Sequence, residues 1–292
     1  MRFGTLNIDG HATVVAISED GLQYREAQEL LPGFAGDMSD FIARMPVPPT
    51  EAAQAGAWQA IAGKQLLAPI PVPRRNIFCV GKNYHEHAKE FSQSGFDTSA
   101  TKGEVAPSAP VVFTKAPSTV IADRQPVQSF PDITTQLDYE AELAVVIGKP
   151  GRGISKADAL RHVWGYTIVN DVTARDLQQR HRQWFLGKSM DTFCPMGPWI
   201  VTADGIDSAT LGVRCWINDE LRQDANTRDL IFDIPTIIET ISAGISLQPG
   251  DVIATGTPAG VGLGFNPPKF LKSGDVMTIS IDRIGTLTNR VE

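Results

Sequence analysis

Cysteine is scarce: three in 292 residues, an odd number, widely spaced, with no C-x-x-C pair. That excludes a disulfide framework and a zinc knuckle. Cys79, Cys194 and Cys215 read instead as reduced thiols of a cytoplasmic protein. Long apolar runs are missing too; none nears the roughly 20 residues a bilayer-spanning helix needs. The opening MRFGTLNIDGHATVVAISEDG alternates polar and apolar residues and lacks the apolar centre of a secretory signal. No membrane partner is expected. Positive charge is in short supply, with a net charge of −7 and a pI near 5.3. Nucleic acid, which wants a basic face, is therefore not an expected partner. A small anionic substrate stays possible, because a local cluster of Arg, Lys or metal can outvote the average. The glycine-rich stretch IATGTPAGVGLGF (253–265) has no Gly-Lys-Ser/Thr after it and does not lead a G-x-G-x-x-G into a helix. Walker and dinucleotide loops are thereby excluded.

The chain is 42% hydrophobic and 20% charged, the balance of a globular enzyme. Two short strands, Phe3–Ile8 and Ala12–Ser18, flank a turn at Asp9-Gly10. Residues 51–64 have the composition of a helix. Proline clusters at 46–49 and 69–73 flank that segment, and the second reads as a linker. It divides a small N-terminal α/β domain, 1–70, from a catalytic domain, 71–292. Residues 76–81 and 111–115 read as strands, 83–92 as a helix, and 92–110, rich in Ser, Ala, Gly and Pro, as a mobile loop. Ser155 caps a helix running to His162. Residues 165–171 form a strand that runs into a helix over 172–184. Asp233-Ile-Pro235 opens another helix, which Gly244 ends. Further strands lie at 211–217, 251–254 and 275–284. Many strands and scattered helices predict a β-rich mixed α/β fold.

LDYEAELAVVIG (137–148) poses an electrostatic question. The apolar run after Glu142 reads as a buried strand, and period two puts Glu140 and Glu142 on one face. Paired buried carboxylates need a shared proton, basic partners or a divalent cation; otherwise they sit exposed before burial begins. Asp138 shares that face and reads as a strand-end residue. Asp171 ends another apolar strand. With Arg175 and Gln178 it falls at i, i+4 and i+7, one helical stripe on which it could equally cap the helix and pair with Arg175. His87 and Glu90, at i and i+3, can form a base dyad or a solvated face. His85 and His87 could instead ligate metal from a strand. Lys188 follows a small apolar cluster, where a lysine is either desolvated and reactive or snorkels. The glycine-rich stretch can offer N–H groups, with Thr257, to an anion such as a substrate carboxylate, or be a plain tight loop.

Seven blocks in order resemble the fumarylacetoacetate hydrolase family: CVGKNYHEHAKE, PVVFTK, LDYEAELAVVIG, GYTIVNDVTARDLQ, GKSMDTFCPMGPW, WINDELRQ and GDVIATGTPAGVG, spanning about residues 75–290. They look most like its acylpyruvase and hydroxyheptadienedioate isomerase branch. The resemblance implies a β-roll of mixed sheets with flanking helices, usually as a homodimer. It implies Mg²⁺ or Mn²⁺, with Ca²⁺ as a further candidate, on Glu140, Glu142 and Asp171. It implies that His87 and Glu90 activate water, that Lys188 stabilises negative charge, and that Arg175, Gln178 and Thr257 position the substrate. Asp138 then drops out of the ligand set. Residues 91–109 would form a lid, and Trp184 and Phe185 would shape the substrate's distal end. The family often has Ala-Asp before its catalytic histidine, whereas His85-Glu86 stands here, so His85 could compete for the base role. The implied activity is C–C hydrolysis of a 2,4-dioxo acid, of acylpyruvate or fumarylpyruvate type, to pyruvate and a carboxylic acid. The same metal–enolate chemistry serves oxaloacetate decarboxylation, hydroxymuconate-type isomerisation and hydrolysis of a 2,4-dioxo-3-deoxy sugar acid.

Overall fold

The computed structural model describes residues 1–54, 56–93 and 106–292. The first part supplies β1 (Arg2–Ile8), β2 (His11–Ile17), β3 (Gln23–Glu26), α1 (Ala27–Leu30), α2 (Met38–Arg44), α3 (Thr50–Gln54), β4 (Gln59–Ala60) and β5 (Gln65–Leu67). Then come β6 (Ile77–Gly81), α4 (His85–Gln93), β7 (Val111–Lys115), β8 (Val120–Ile121), β9 (Leu137–Asp138), β10 (Ala141–Ile147), β11 (Val163–Asn170) and β12 (Thr173–Ala174). Last are α5 (Arg175–Arg180), α6 (Phe185–Lys188), β13 (Cys194–Thr202), β14 (Gly212–Ile217), β15 (Glu220–Asn226), α7 (Ile234–Ser242), β16 (Val252–Ala254), β17 (Val276–Ile281) and β18 (Gly285–Arg290).

The large mixed sheet runs β4-β3-β2-β1-β13-β11-β10-β16-β6-β7, with β5 beside β1 and β8 beside β13. A second, antiparallel sheet runs β15-β14-β17-β18. β10 is buried on both faces. Leu143, Val145 and Ile147 join a core with Val213, Ile217 and Met277 of the small sheet. Ala144 and Val146 join the opposite core with Phe41 and Trp164. Two-sided burial accounts for the unbroken apolar run. Alternation then places Glu142, and Glu140 just before the strand, on the Ala144 face. β1 pairs with β13 as well as with β2 and β5, so the first 67 residues share this sheet with the rest. The fold is the expected β-rich mixed α/β arrangement.

Local expectations meet the structure unevenly. The first hairpin forms, with Asp9 and Gly10 both at positive φ, 51° and 85°, as a two-residue hairpin turn requires. The helix expected over 51–64 stops at Gln54. Gly56 takes φ +111°, and the chain then supplies β4 and β5 as partners for β3 and β1. Sheet pairing overrides the alanine-rich composition there. Ser155 Oγ does accept from Asp158 N, at 3.3 Å, but the segment it caps is only a 3₁₀ turn, Ala159–His162. The helix expected over 172–184 is broken. Thr173–Ala174 pairs with Leu137–Asp138, and two short helices, α5 and α6, come after it. Most of the loop expected over 92–110, and with it the lid, lies outside the described residues. The three cysteines are free and buried. Burial pushes all three thiols well above their ordinary range, with the Asp171 and Glu142 charges adding to the effect at Cys79. No helix among the described residues is long and apolar enough to cross a membrane.

Candidate active site

Neighbouring strands bring the three carboxylates together. Glu142 sits in β10, Glu140 just before it and Asp171 just after β11. Asp171 N donates to Glu140 O at 2.9 Å, which continues the β10–β11 pairing past Ala141 and Asn170. Glu140 N donates to Asn170 Oδ1 at 3.0 Å. Ligand atoms of Glu140, Glu142 and Asp171 lie within 4.8 Å of one another, and all three residues are buried. Asp171 does not cap a helix or share a helical stripe, because residues 171–174 are extended and Ala174 is the N-cap of α5.

Three buried cations hold these acids. Lys188 Nζ bridges Glu140 Oε2 at 2.8 Å and Asp171 Oδ2 at 2.7 Å. Arg175 pairs through Nε with Asp138 at 2.9 Å and through Nη1 with Glu140 Oε1 at 2.7 Å. Lys115 donates to Asp171 Oδ1 at 2.6 Å and to the Val172 carbonyl at 3.1 Å; it also donates to the Lys188 carbonyl. Burial alone would raise the Glu140 carboxyl, but Lys188 and Arg175 outweigh it and bring the group down to about 2. Glu142 goes the other way. Burial, with the charges of Asp171 and Glu140 beside it, pushes its carboxyl well above the usual range. Its hydrogen bond comes from Gly256 N, at 2.7 Å.

His87 and Glu90 form the expected dyad on α4, with Nδ1 and Oε2 3.0 Å apart. The glycine-rich loop completes it. Gly260 N donates to the other Glu90 oxygen at 3.0 Å. Gly262 N and Leu263 N donate to the two oxygens of Asp138 at 2.7 and 3.0 Å. The loop's N–H groups therefore do bind carboxylates, but those of Glu142, Glu90 and Asp138 in place of the expected substrate carboxylate. Glycine is required at Gly264, where a Cβ would stand 1.8 Å from Glu90 Oε1. Gly264→Ala should misplace the dyad and cut kcat about 100-fold while leaving Mn²⁺ affinity intact; a wild-type kcat in steady-state assay would contradict this geometry.

One cleft is lined by His87, Glu140, Glu142, Arg175, Gln178, Lys188 and Thr257. Glu90 touches it through His87, and Asp171 through Lys188. Trp184 lines it as well and meets Phe91 and Phe113 edge-on at 6.1 and 5.2 Å. Phe185 does not shape it and is 44% exposed. His85 is exposed at the start of α4, away from the cleft, so it neither ligates metal with His87 nor competes as base. A larger hollow near Met1, Trp58 and Arg283 gathers no comparable set of ligands among the described residues.

The donor set fits a divalent cation. Four buried carboxylates, counting Asp138, face three buried cations. Glu142 is the carboxylate left without a cationic partner of its own. Its oxygens, with those of Glu140 and Asp171, are the hard ligands that Mg²⁺ or Mn²⁺ prefers.

Residues 76–292 match the fumarylacetoacetate (FAA) hydrolase C-terminal family. The chain belongs to the fumarylacetoacetate hydrolase family. Among its relatives is the oxaloacetate tautomerase YisK of Bacillus subtilis, 55% identical over 228 residues, which are 78% of this chain and 73% of the relative. A fumarylacetoacetate hydrolase from psychrophilic Exiguobacterium antarcticum superposes with a TM-score of 0.85 at 40% identity, covering 100% of this chain and 99% of that one. Maleylpyruvate hydrolase from Sphingobium sp. SYK-6, solved with manganese(II) and pyruvate, gives 0.76 at 33% identity, covering 100% and 98%.

Against this family background, two residues of the site escape a reading of the sequence. Lys115 ends β7, where a lysine closing VVFTK gives no signal of being fully buried. Asp138 reads as a strand-end residue, yet it is 0% exposed and ties Arg175 to the glycine loop. Its signal is present in the pattern, since it shares the period-two face of Glu140 and Glu142.

Proposed function

We propose that the protein tautomerises a small 2-oxo dicarboxylic acid of the oxaloacetate type, moving a proton between C3 and the 2-oxo oxygen. One observation carries this reading: a cleft imidazole, His87, is committed through Nδ1 to Glu90 and shares its cleft with the buried carboxylates. Tautomerisation needs a group that takes a proton from carbon and returns it, work that suits an imidazole near neutral pH. Glu90 as acceptor assigns the proton to Nδ1 and leaves Nε2 as the base. The 55% identical oxaloacetate tautomerase supports the same substrate class.

Glu140, Glu142 and Asp171 would hold Mg²⁺ or Mn²⁺; Ca²⁺ shares the preference for oxygen but takes more ligands. Such a cation, when bound, supplies Lewis-acid polarisation of the 2-oxo group. Lys188 keeps a positive charge beside the developing enolate. Arg175 Nη2 is buried without a protein partner and can meet a substrate carboxylate. Gln178 and Thr257 add neutral polar groups. Phe91, Trp184 and Phe113 wall the cleft with apolar surface and limit water at the reacting carbon.

A second reading is C–C hydrolysis of an acylpyruvate or fumarylpyruvate. The same dyad would then deprotonate water, and the likeness to a maleylpyruvate hydrolase solved with manganese and pyruvate favours it. Oxaloacetate decarboxylation would pass through the same enolate. With Mn²⁺ present, the protein is expected to speed the decay of enol-oxaloacetate ultraviolet absorbance without releasing CO₂ or pyruvate. Faster release of pyruvate from acylpyruvates selects the second reading, and CO₂ release selects decarboxylation. No change with any of these acids overturns all three.

A further inference from the structure

Thr257 reaches the cleft with a hydroxyl, a group able to donate or accept. Gln223, wholly buried on β15 of the small sheet, removes that choice. Its Oε1 accepts from Ala141 N at 3.1 Å, between the two glutamates. Its Nε2 donates to Thr257 Oγ1 and to the Pro258 carbonyl, both at 2.8 Å. The amide cannot be turned over. Ala141 N can only donate and the Pro258 carbonyl can only accept, so exchanging O and N would break both bonds. Because Gln223 donates into Oγ1, the Thr257 proton must point elsewhere. The open direction is the cleft that Thr257 lines.

Gln178 is polarised in the same sense. Its Oε1 accepts from Arg175 Nη1 at 3.2 Å, so its N–H groups are what it has left to offer. Arg175 Nη2 is a third donor, buried and unpartnered. Beside the acidic group, the cleft thus presents donors to its ligand.

We propose that Gln223 is a positioning residue that makes Thr257 an obligate hydrogen-bond donor, so that this side of the cleft takes an acceptor-only group, the ionised carboxylate of a 2-oxo acid. The proposal rests on the 2-oxo acid reading of the site and assigns it a residue contributed by the second sheet.

The test is pyruvate affinity of the Mn²⁺-loaded protein, measured by calorimetry, for wild type, Thr257→Val, Gln223→Met and the double variant. Losing one hydrogen bond to a charged group should weaken pyruvate binding about tenfold in each single variant. In Gln223→Met the freed Pro258 carbonyl can capture the Thr257 proton. The double variant should therefore also lose about tenfold, because both changes remove the same donor. In turnover, KM should rise by that factor with kcat held within about threefold. Wild-type affinity in Gln223→Met, or losses that multiply to about 100-fold, would overturn the proposal. The second pattern would mean that Gln223 only tethers β15 to Ala141. Should Gln223→Met not fold, Gln223→Glu keeps an acceptor for Ala141 N while removing the donor, and the same pattern is expected. Absence of pyruvate binding by wild type overturns the proposal as well. Pyruvate binding without turnover of oxaloacetate or acylpyruvate defeats the proposed activity alone and leaves the Gln223 comparison decisive.

Discussion

Glu142→Gln is expected to cut turnover about 1,000-fold or more, the scale of losing Lewis-acid stabilisation worth several kcal/mol. The variant should nevertheless stay folded. Glu142 is the site carboxylate that burial and its neighbours hold well above the normal range, with Gly256 N as its bonded partner. Replacing it by an isosteric amide relieves repulsion from Asp171 and Glu140. The metal-free variant should melt at or above metal-free wild type. Added Mn²⁺ should raise the melting temperature of wild type and leave the variant unmoved, because only a species that binds the folded state stabilises it. Glu140 makes the contrast. Arg175 and Lys188 both bond to it, and breaking a buried pair by removing one partner costs about 3–5 kcal/mol. Calorimetric melting of Glu142→Gln with and without Mn²⁺ checks the prediction. A large loss of stability in the metal-free variant would mean that Glu142 is an ordinary structural carboxylate.

His87→Asn should lower kcat by about 10²–10⁴-fold, the range for removing a general acid–base group. KM should change little, since the imidazole acts on the reacting proton. Mn²⁺ affinity should be unaffected, because His87 lies outside the set of carboxylate ligands. Steady-state kinetics with a parallel metal titration separates the two roles. Loss of Mn²⁺ binding in His87→Asn would make the imidazole a ligand and remove the basis for assigning Nε2 as the base.

Much of this site is legible in the order of residues along the chain. Alternation in 140–147 places Glu140 and Glu142 together, because a strand buried on both faces has one register that keeps its apolar residues inside. The His87–Glu90 pair is local to α4, so helical spacing suffices. Contacts between distant segments are less legible. Lys115 and Asp171 are far apart in sequence and meet only through the sheet order. Lys188 belongs with Glu140 for the same reason. The extended backbone at 171–174 is hidden because VTARDLQQRHRQW suits a helix, while pairing of Thr173–Ala174 with β9 overrides that local preference. β13 is hidden by its prolines, Pro195 and Pro198, in a strand flanked by β1 and β11; proline normally argues against such a position. The glycine loop's chemistry is half legible. Its composition announces anion-binding N–H groups, but only the fold shows that the anions are the protein's own.

The central claim is that the buried carboxylates hold a divalent cation that the proton transfer requires. The most direct measurement follows the decay of enol-oxaloacetate absorbance with metal-depleted protein and then during titration with Mn²⁺. The account predicts no acceleration by the metal-depleted protein, and recovery that saturates at a single equivalent of Mn²⁺ per chain. Full activity in the metal-depleted protein would contradict it.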